Sequence, residues 1–351
     1  MKRARSSPFN ATTATDAASL TDAASLPNNV LMPWLGFGTY RLGQSNAQQA
    51  THAALKAGYR MIDTAYIYAG EKCEPLVGKA IAAALADGTL NSRDELFVVT
   101  KHWRKFHGYQ PTLGCLERSL TRLNLAHVDL WLMHWPGPAW TTMNRKTSEL
   151  EEHGAWHYAA DGMGENEIQS LRAETWRAME DSLKAGKVRA IGVSNFTIQH
   201  LEALKKTATI WPPAVNQVEA HPYHAQDELL AYCKKEGIVL QAYAALGGQD
   251  GSKAKWQALG GHVMESAPVV NAAENHGATA GKVLLRWALQ RGCSVTPKSQ
   301  SVARIAENGD VFGFRLSEEE MASIAALGVG VEEGAGRLCW RTDPLRLLDF
   351  A

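Results

Sequence analysis

Four residues of this 351-residue chain carry side chains that together make a proton donor with a tuned pKa. Asp63 and Tyr68 are five apart in Arg60-Met-Ile-Asp-Thr-Ala-Tyr-Ile-Tyr68, Lys101 ends the run Phe97-Val-Val-Thr-Lys101, and His134 ends Val128-Asp-Leu-Trp-Leu-Met-His134. Each polar residue stands at or just past the end of a short apolar run. In a parallel α/β barrel the C-terminal ends of the strands all point at one site. A phenol, an ammonium, a carboxylate and an imidazole gathered there suit the reduction of a carbonyl group. A free phenol titrates near pH ~10, about three units above working pH, and a neighbouring ammonium is expected to lower that value by stabilising the phenolate. Singly, each residue has an ordinary explanation: a solvated loop tyrosine, surface charges, a core histidine. Four of them at successive strand ends or loops would need a fourfold coincidence.

The elements that must position these groups are legible as an alternation. Short apolar runs at 35–39, 59–63, 96–101, 128–133, 188–193, 214–218, 238–243 and 293–296 read as strands. Helical patterns fall between and after them, at 46–57, 72–86, 111–124, 171–185, 197–206, 225–236, 279–291 and 301–308. Gly58, Gly186, Gly237 and Gly292 follow helical runs, where a left-handed residue is wanted. Eight strand-then-helix units predict an α/β fold, a closed (β/α)8 TIM barrel; an open doubly wound sheet is the alternative. Two connections, 135–170 and 244–278, are long and follow the fourth and seventh strands, so both overhang the active-site face.

Composition narrows the function classes. The chain has 45% hydrophobic and 21% charged residues and equal numbers of acidic and basic groups, 36 of each. That balance gives no electrostatic footprint for nucleic acid or an anionic membrane. No apolar stretch reaches the ~18 residues of a membrane span. The five cysteines, without any Cys-x-x-Cys, read as buried thiols of a reducing compartment. Residues 1–29 are rich in Ala, Ser and Thr and repeat Thr-Asp-Ala-Ala-Ser-Leu at 15–20 and 21–26. They are expected to be a disordered tail, with residues 30–351 forming the barrel domain. Lys2, Arg3 and Arg5 allow an organelle-targeting reading, against which Asp16 and Asp22 argue; a cytoplasmic protein is expected.

Five segments carry a family resemblance. Gly58-Tyr-Arg-Met-Ile-Asp-Thr-Ala65, Leu130-Trp-Leu-Met-His-Trp-Pro136, Gly192-Val-Ser-Asn-Phe196, Asn216-Gln-Val-Glu219 and Pro297-Lys-Ser299 resemble the aldo-keto reductases in order and spacing. The resemblance covers about residues 30–340 and implies an NADPH-dependent reductase of aldehydes or ketones. It casts Tyr68 as general acid, Lys101 and Asp63 as the ion pair that tunes it, and His134 as the group orienting the carbonyl oxygen. It also implies that Ser194, Asn195 and Gln217 hold the nicotinamide carboxamide and that Tyr243 stacks on the ring. Gly38, Thr39 and Leu246 join the cofactor-binding set. Asn195 has a plainer reading as the N-cap of the next helix.

The segment from Pro297 to Asn308 bears on cofactor type. Lys298 and Arg304 span a strand end and the first turn of a helix, where phosphate is favoured. The resemblance puts the 2′-phosphate of NADP there, with Ser299 beside it and Glu307 and Asn308 at the adenine. Gly36-Phe-Gly38 lacks a third glycine and a ribose-binding acid, so a Rossmann fingerprint is not in play.

The chain departs from the family pattern in three places. Ala244-Ala-Leu-Gly247 lacks the serine of the common Ser-Pro-Leu-Gly, which leaves one pyrophosphate contact to backbone N–H groups. Tyr40 replaces a substrate-facing tryptophan, and the loop after His134 is longer than usual. Tyr40, His134, Trp135 and Trp140 are the expected substrate contacts, and the acids between Glu149 and Glu167 should discourage anionic substrates. His153 with His157, and His221 with His224, match no zinc motif and are read as structural; no metal is expected. A monomer is the family default. A second function, a nicotinamide-binding redox sensor regulating a partner, shares the same four residues and differs in cofactor release. The segment Leu338-Cys-Trp-Arg-Thr-Asp343 is expected to bear on substrate choice.

Overall fold

The computed structural model describes residues 7–138, 165–248, 253–328 and 336–339. Eleven strands are described, β1 (Asn10–Ala11), β2 (Asp22–Ser25), β3 (Leu31–Pro33), β4 (Phe37–Gly38), β5 (Met61–Asp63), β6 (Phe97–His102), β7 (Val128–Met133), β8 (Val188–Ser194), β9 (Val215–Glu219), β10 (Val239–Tyr243) and β11 (Ser294–Val295). The last eight form one sheet in sequential order, every pair parallel. Its two edges meet: Leu35 bridges Val295 in parallel, Gly36 N–H donates to Val295 O at 2.9 Å, and Gly38 N–H donates to Pro297 O at 2.9 Å. The sheet is a closed barrel, and the open-sheet alternative is excluded.

Helices α1 (Ala47–Lys56), α2 (Cys73–Ala86), α3 (Tyr109–Leu123), α4 (Glu165–Lys184), α5 (Ile198–Lys205) and α6 (Asp227–Glu236) return the chain between the first seven barrel strands. After β10 come α7 (Lys253–Ala258), α8 (Ala267–Asn275) and α9 (Ala280–Gln290); after β11 come α10 (Val302–Gly309) and α11 (Glu318–Ala325). The expected loop 244–278 therefore contains two helices of its own, and α4 starts well before the expected residue 171. The bulk of the first long connection, with Trp140, His153, His157 and most of its acids, lies outside the described residues. Local chemistry sets the helix ends: Gly237 closes α6 at φ 74° as expected, and Thr197 caps α5 by accepting from His200 N–H.

A two-residue period sorts the strands into two faces. Met61, Phe97, Val99, Leu130, Leu132, Ala190 and Val215 point inward and form one buried cluster. Ile62, Val98, Trp131, Met133, Ile191, Val193, Val218 and Leu240 point outward into the larger core beneath the helices. Both faces are buried, as parallel strands require.

The amino-terminal segment corrects the expected tail. Residues 7–29 are folded: β1 pairs with β2 in parallel, β2 pairs with β3 antiparallel, and Phe9, Ala23, Leu26 and Met32 join the inward cluster as the barrel's floor. Asp22 organises the segment, its buried carboxylate accepting from Ala18 N–H at 2.7 Å, Ser19 N–H at 3.0 Å and Asn10 Nδ2 at 3.2 Å. The two copies of the six-residue repeat are not equivalent. The second supplies β2, while Ala17 O and Thr15 O in the first accept from Arg286 and Arg315. Composition misled because small side chains bury little alone, yet they fit closely against a ready-made apolar floor. Asp22→Ala removes three hydrogen bonds to a buried carboxylate. We expect a loss of about 1.5–3 kcal/mol, read as a lower urea midpoint with unchanged slope; an unchanged midpoint would return this segment to the status of a tail.

Candidate active site

The inward period carries straight into the chemistry. One step beyond Met61 is Asp63; two residues past Val99 is Lys101, and two past Leu132 is His134. The same step places Ser194 after Gly192, Gln217 after Val215 and Tyr243 after Gln241. All six end at the same mouth, and five of them, with Tyr68, border a cavity of about 470 Å³; Lys101 lies buried just behind the wall. Tyr68 arrives by a different route, in a turn after β5 rather than at its end.

Lys101 is fully buried and has three partners: Asp63 Oδ1 at 2.5 Å, Thr64 O at 2.9 Å and the Tyr68 hydroxyl oxygen at 3.2 Å. An ammonium has three hydrogens, so each is committed. Tyr68 accepts from Lys101, which leaves its own proton to point elsewhere. The expected lowering of the Tyr68 pKa is not what the site produces. Burial first, then the Asp63 carboxylate, push the phenol well above its ordinary value. Burial also pulls Lys101 below its usual value against the opposing pull of Asp63. His134 is driven well below the ordinary imidazole range, by burial first and then by Lys101; it is neutral at physiological pH. Its Nδ1 is buried without a hydrogen-bond partner, which leaves Nε2 to meet a ligand.

Beside this cluster runs a wall of amides. Gln217 Nε2 donates to Asp63 Oδ2 at 2.8 Å and to Gln241 Oε1 at 2.5 Å, so its amide can meet a ligand only through Oε1, as an acceptor. Asn195, at φ 63°, donates to His134 O at 2.9 Å and to Ser194 Oγ at 3.1 Å, and accepts from the Tyr243 hydroxyl at 2.8 Å. The N-cap reading of Asn195 fails, since Thr197 caps α5. Gly38, Leu246 and Lys298 also border the cavity. A Cβ on Gly38 would lie 2.7 Å from Thr296 O, so glycine is required where the first and last barrel strands close. Thr39 turns away, giving both its N–H and its hydroxyl to Asp63 O at 2.9 Å.

Ser299, Arg304, Glu307 and Asn308 lie beyond the cavity on α10 and the turn before it. Ser299 Oγ accepts from Ser301 N–H at 3.1 Å, and Ser301 caps α10. A Cβ on Gly281 would be 3.8 Å from both Asn308 Oδ1 and Leu246 Cδ2, and Glu307 pairs with Thr279. The loop after β10, the start of α9 and the last turn of α10 thus lie close together. The donor set fits an NADP(H) molecule: amides and an aromatic ring by the Tyr68 phenol, Lys298 beyond them, and a capped helix start carrying Arg304 at the far end. At the departure from the family pattern, Ala244 takes a left-handed φ of 54° and its carbonyl accepts from Gly247 N–H at 2.8 Å. A backbone turn stands where the serine would be.

The expected substrate residues Tyr40 and Trp135 are at the mouth. The Tyr40 ring lies 5.1 Å from that of Tyr68, and Trp135 is stacked on His134 at 6.2 Å. Sequence reasoning missed Trp103, Ile67 and Arg41, which complete the walls, while Cys339 belongs to the carboxyl-terminal segment expected to bear on substrate choice and borders the cavity too. Glu219, at the end of β9, anchors that segment: it accepts from Leu338 N–H at 2.6 Å and Cys339 N–H at 3.1 Å. A carboxylate one inward step beyond Gln217 was the available signal. His221 bonds Glu219 at 3.1 Å and His224 bonds Gln226 at 2.8 Å, so both histidines serve the local turn.

Comparison with known proteins agrees with this geometry. The aldo/keto reductase family model matches residues 34–328. The chain is 39% identical over 310 residues to a glyoxal reductase of Bacillus subtilis, covering 88% of this chain and 94% of that protein. It is 36% identical over 305 residues to an NAD(P)H-dependent D-xylose reductase of Scheffersomyces stipitis, covering 86% and 92%. A solved aldo-keto reductase of Bombyx mori in complex with NADP superposes with a TM-score of 0.73 at 31% identity, over 87% of this chain and 92% of that one. The chain belongs to the aldo/keto reductase family.

Proposed function

We propose that Tyr68 is the general acid of this NADPH-dependent aldehyde and ketone reductase, that Lys101 and Asp63 orient it, and that His134 holds the carbonyl oxygen. The observation that carries the reading is the commitment of all three Lys101 hydrogens, one of them to the Tyr68 oxygen. With that lone pair taken, the phenolic proton is directed toward the cavity. His134, neutral and unpartnered at Nδ1, offers an N–H at Nε2 to the same carbonyl oxygen. NADPH supplies the hydride. Ser194, Asn195, Gln217 and Tyr243 hold its reactive end, while Lys298, Ser299 and Arg304 hold the 2′-phosphate. Glu307 and Asn308 face the adenine.

Tyr40, Ile67, Trp103 and Trp135 form an apolar wall suited to the hydrocarbon flank of an aromatic or branched aldehyde. We also infer a monomer, since the exposed large hydrophobics among the described residues are scattered at Tyr40, Leu85 and Val302. The thiols support a reducing, cytoplasmic setting: Cys73, Cys115, Cys233 and Cys293 are buried and unpaired. Residues 7–29 form the barrel floor, which argues against their being a cleaved targeting peptide. No helix among the described residues is long and apolar enough to cross a membrane.

Tyr68→Phe removes the donated proton and little else. Turnover of an aromatic aldehyde should fall roughly 10²-fold or more, with NADPH affinity nearly unchanged; near wild-type turnover would assign the proton to another group. Arg304→Ala should weaken NADPH binding by on the order of 1.5–3 kcal/mol, about tenfold to a hundredfold, and leave NADH binding unaltered. Equal losses for both cofactors would make Arg304 structural. The pH profile of reduction follows from the two perturbed groups. The acid is active while protonated, and burial raises its pKa, so activity persists as pH rises; His134 must be neutral, and burial lowers its pKa, so activity persists as pH falls. We expect kcat/KM to be flat between about pH 6 and 9. A midpoint near 6.5, the ordinary imidazole value, would show that His134 titrates normally.

A further inference from the structure

The turn that carries Tyr68 has an unusual backbone. Ala69 (φ 52°, ψ 35°), Gly70 (φ 63°, ψ 46°) and Glu71 (φ 71°) are consecutive and left-handed, and two of the three carry a Cβ that disfavours it. Within the turn, Gly70 N–H donates to Ile67 O at 3.1 Å, and Glu71 N–H reaches the same carbonyl at 3.4 Å. These long bonds do not by themselves account for the conformation.

The Glu71 carboxylate supplies the rest. Its Oε1 accepts from Lys105 Nζ at 2.7 Å and its Oε2 from Arg122 Nη2 at 2.6 Å. Lys105 lies in the short turn Arg104–Phe106, immediately after the strand that ends in Lys101 and His102. Arg122, on α3, lies over the Tyr66 ring at 4.3 Å and reaches Glu74 at 3.7 Å. Glu74 in turn accepts from the Thr100 hydroxyl at 2.7 Å, one residue before Lys101. The outer flank of the Tyr68 turn is thereby tied to the strand and loop on either side of Lys101.

We propose that Glu71 is a positioning residue for proton delivery. Its ion pairs with Lys105 and Arg122 hold residues 69–71 in the left-handed conformation and so keep the Tyr68 hydroxyl against Lys101. The inference rests on Tyr68 being the general acid. Without the clamp, the turn relaxes toward ordinary backbone angles and carries the hydroxyl away from Lys101. Glu71 touches neither substrate nor cofactor in this account; it acts through Tyr68 alone.

That dependence gives the test. Glu71→Gln is nearly isosteric, yet it removes the charge and sets an amide N–H2 against one of the two cations. With NADPH and an aromatic aldehyde, its kcat should fall on the order of tenfold, while NADPH affinity, read by tryptophan fluorescence, stays within about twofold of wild type. In a Tyr68→Phe background the same substitution should cause no further loss, because no hydroxyl remains to be positioned. Lys105→Met removes one arm from a partly exposed site and should show the same pattern with a smaller fall. An undiminished kcat in Glu71→Gln, with Tyr68→Phe slow as expected, would overturn this inference alone. An equal fall in both backgrounds would overturn it too, by showing that Glu71 acts on the fold at large. Near wild-type turnover in Tyr68→Phe would remove the general-acid reading, and this inference with it.

Discussion

The buried ion pair between Lys101 and Asp63 is the constraint to which the rest of the site answers. Two opposite charges sit at contact distance inside the barrel mouth, where removing one partner typically costs about 3–5 kcal/mol because the other is left uncompensated. The other two ammonium hydrogens go to Thr64 and Tyr68, and the second carboxylate oxygen accepts from Gln217. That assignment fixes the amide orientation of Gln217 and aligns the phenol. One pair sets both the phenol and the edge of the amide wall.

The wall is built in advance. Ser194, Asn195 and Tyr243 bond to one another and to the backbone, and Gln217 is held by Asp63 and Gln241, so their orientations do not depend on a ligand to select them. Such preorganisation lowers the cost of binding and confines reorganisation to solvent leaving the cavity. It also joins the two halves of the chemistry, since Asn195 donates to the backbone of His134.

Much of this was legible in the sequence, for a specific reason. Asp63, Lys101, His134, Ser194 and Gln217 stand an even number of residues from inward apolar neighbours, and the period of a strand carries that register to its end. Tyr68 was not legible in this way: its type and its place just past a strand drew attention to it, but its position depends on a left-handed turn that no periodicity encodes. The direction of its pKa shift was misread because proximity to a cation is visible in sequence whereas depth of burial is not. The floor was misread because Ala, Ser and Thr are poor at forming a core alone and well suited to sealing one. The strand period marks Glu219 as an inward carboxylate, but its partners Leu338 and Cys339 lie too far along the chain for any local pattern to name them.

The seam of the barrel has a consequence for how the molecule is made. Leu35 near the beginning pairs with Val295 near the end, and the floor laid down by the first residues is roofed by strands translated well afterward. A nascent chain must emerge almost completely before its first strand gains its second neighbour. Until then the ribosome presents a growing, open sheet with an unpaired edge and an uncovered apolar interior. Such long-range closure is slow and prone to wrong association. The interval before residue 295 clears the ribosomal exit tunnel is therefore when the unpaired edge at Leu35 is most open to wrong association.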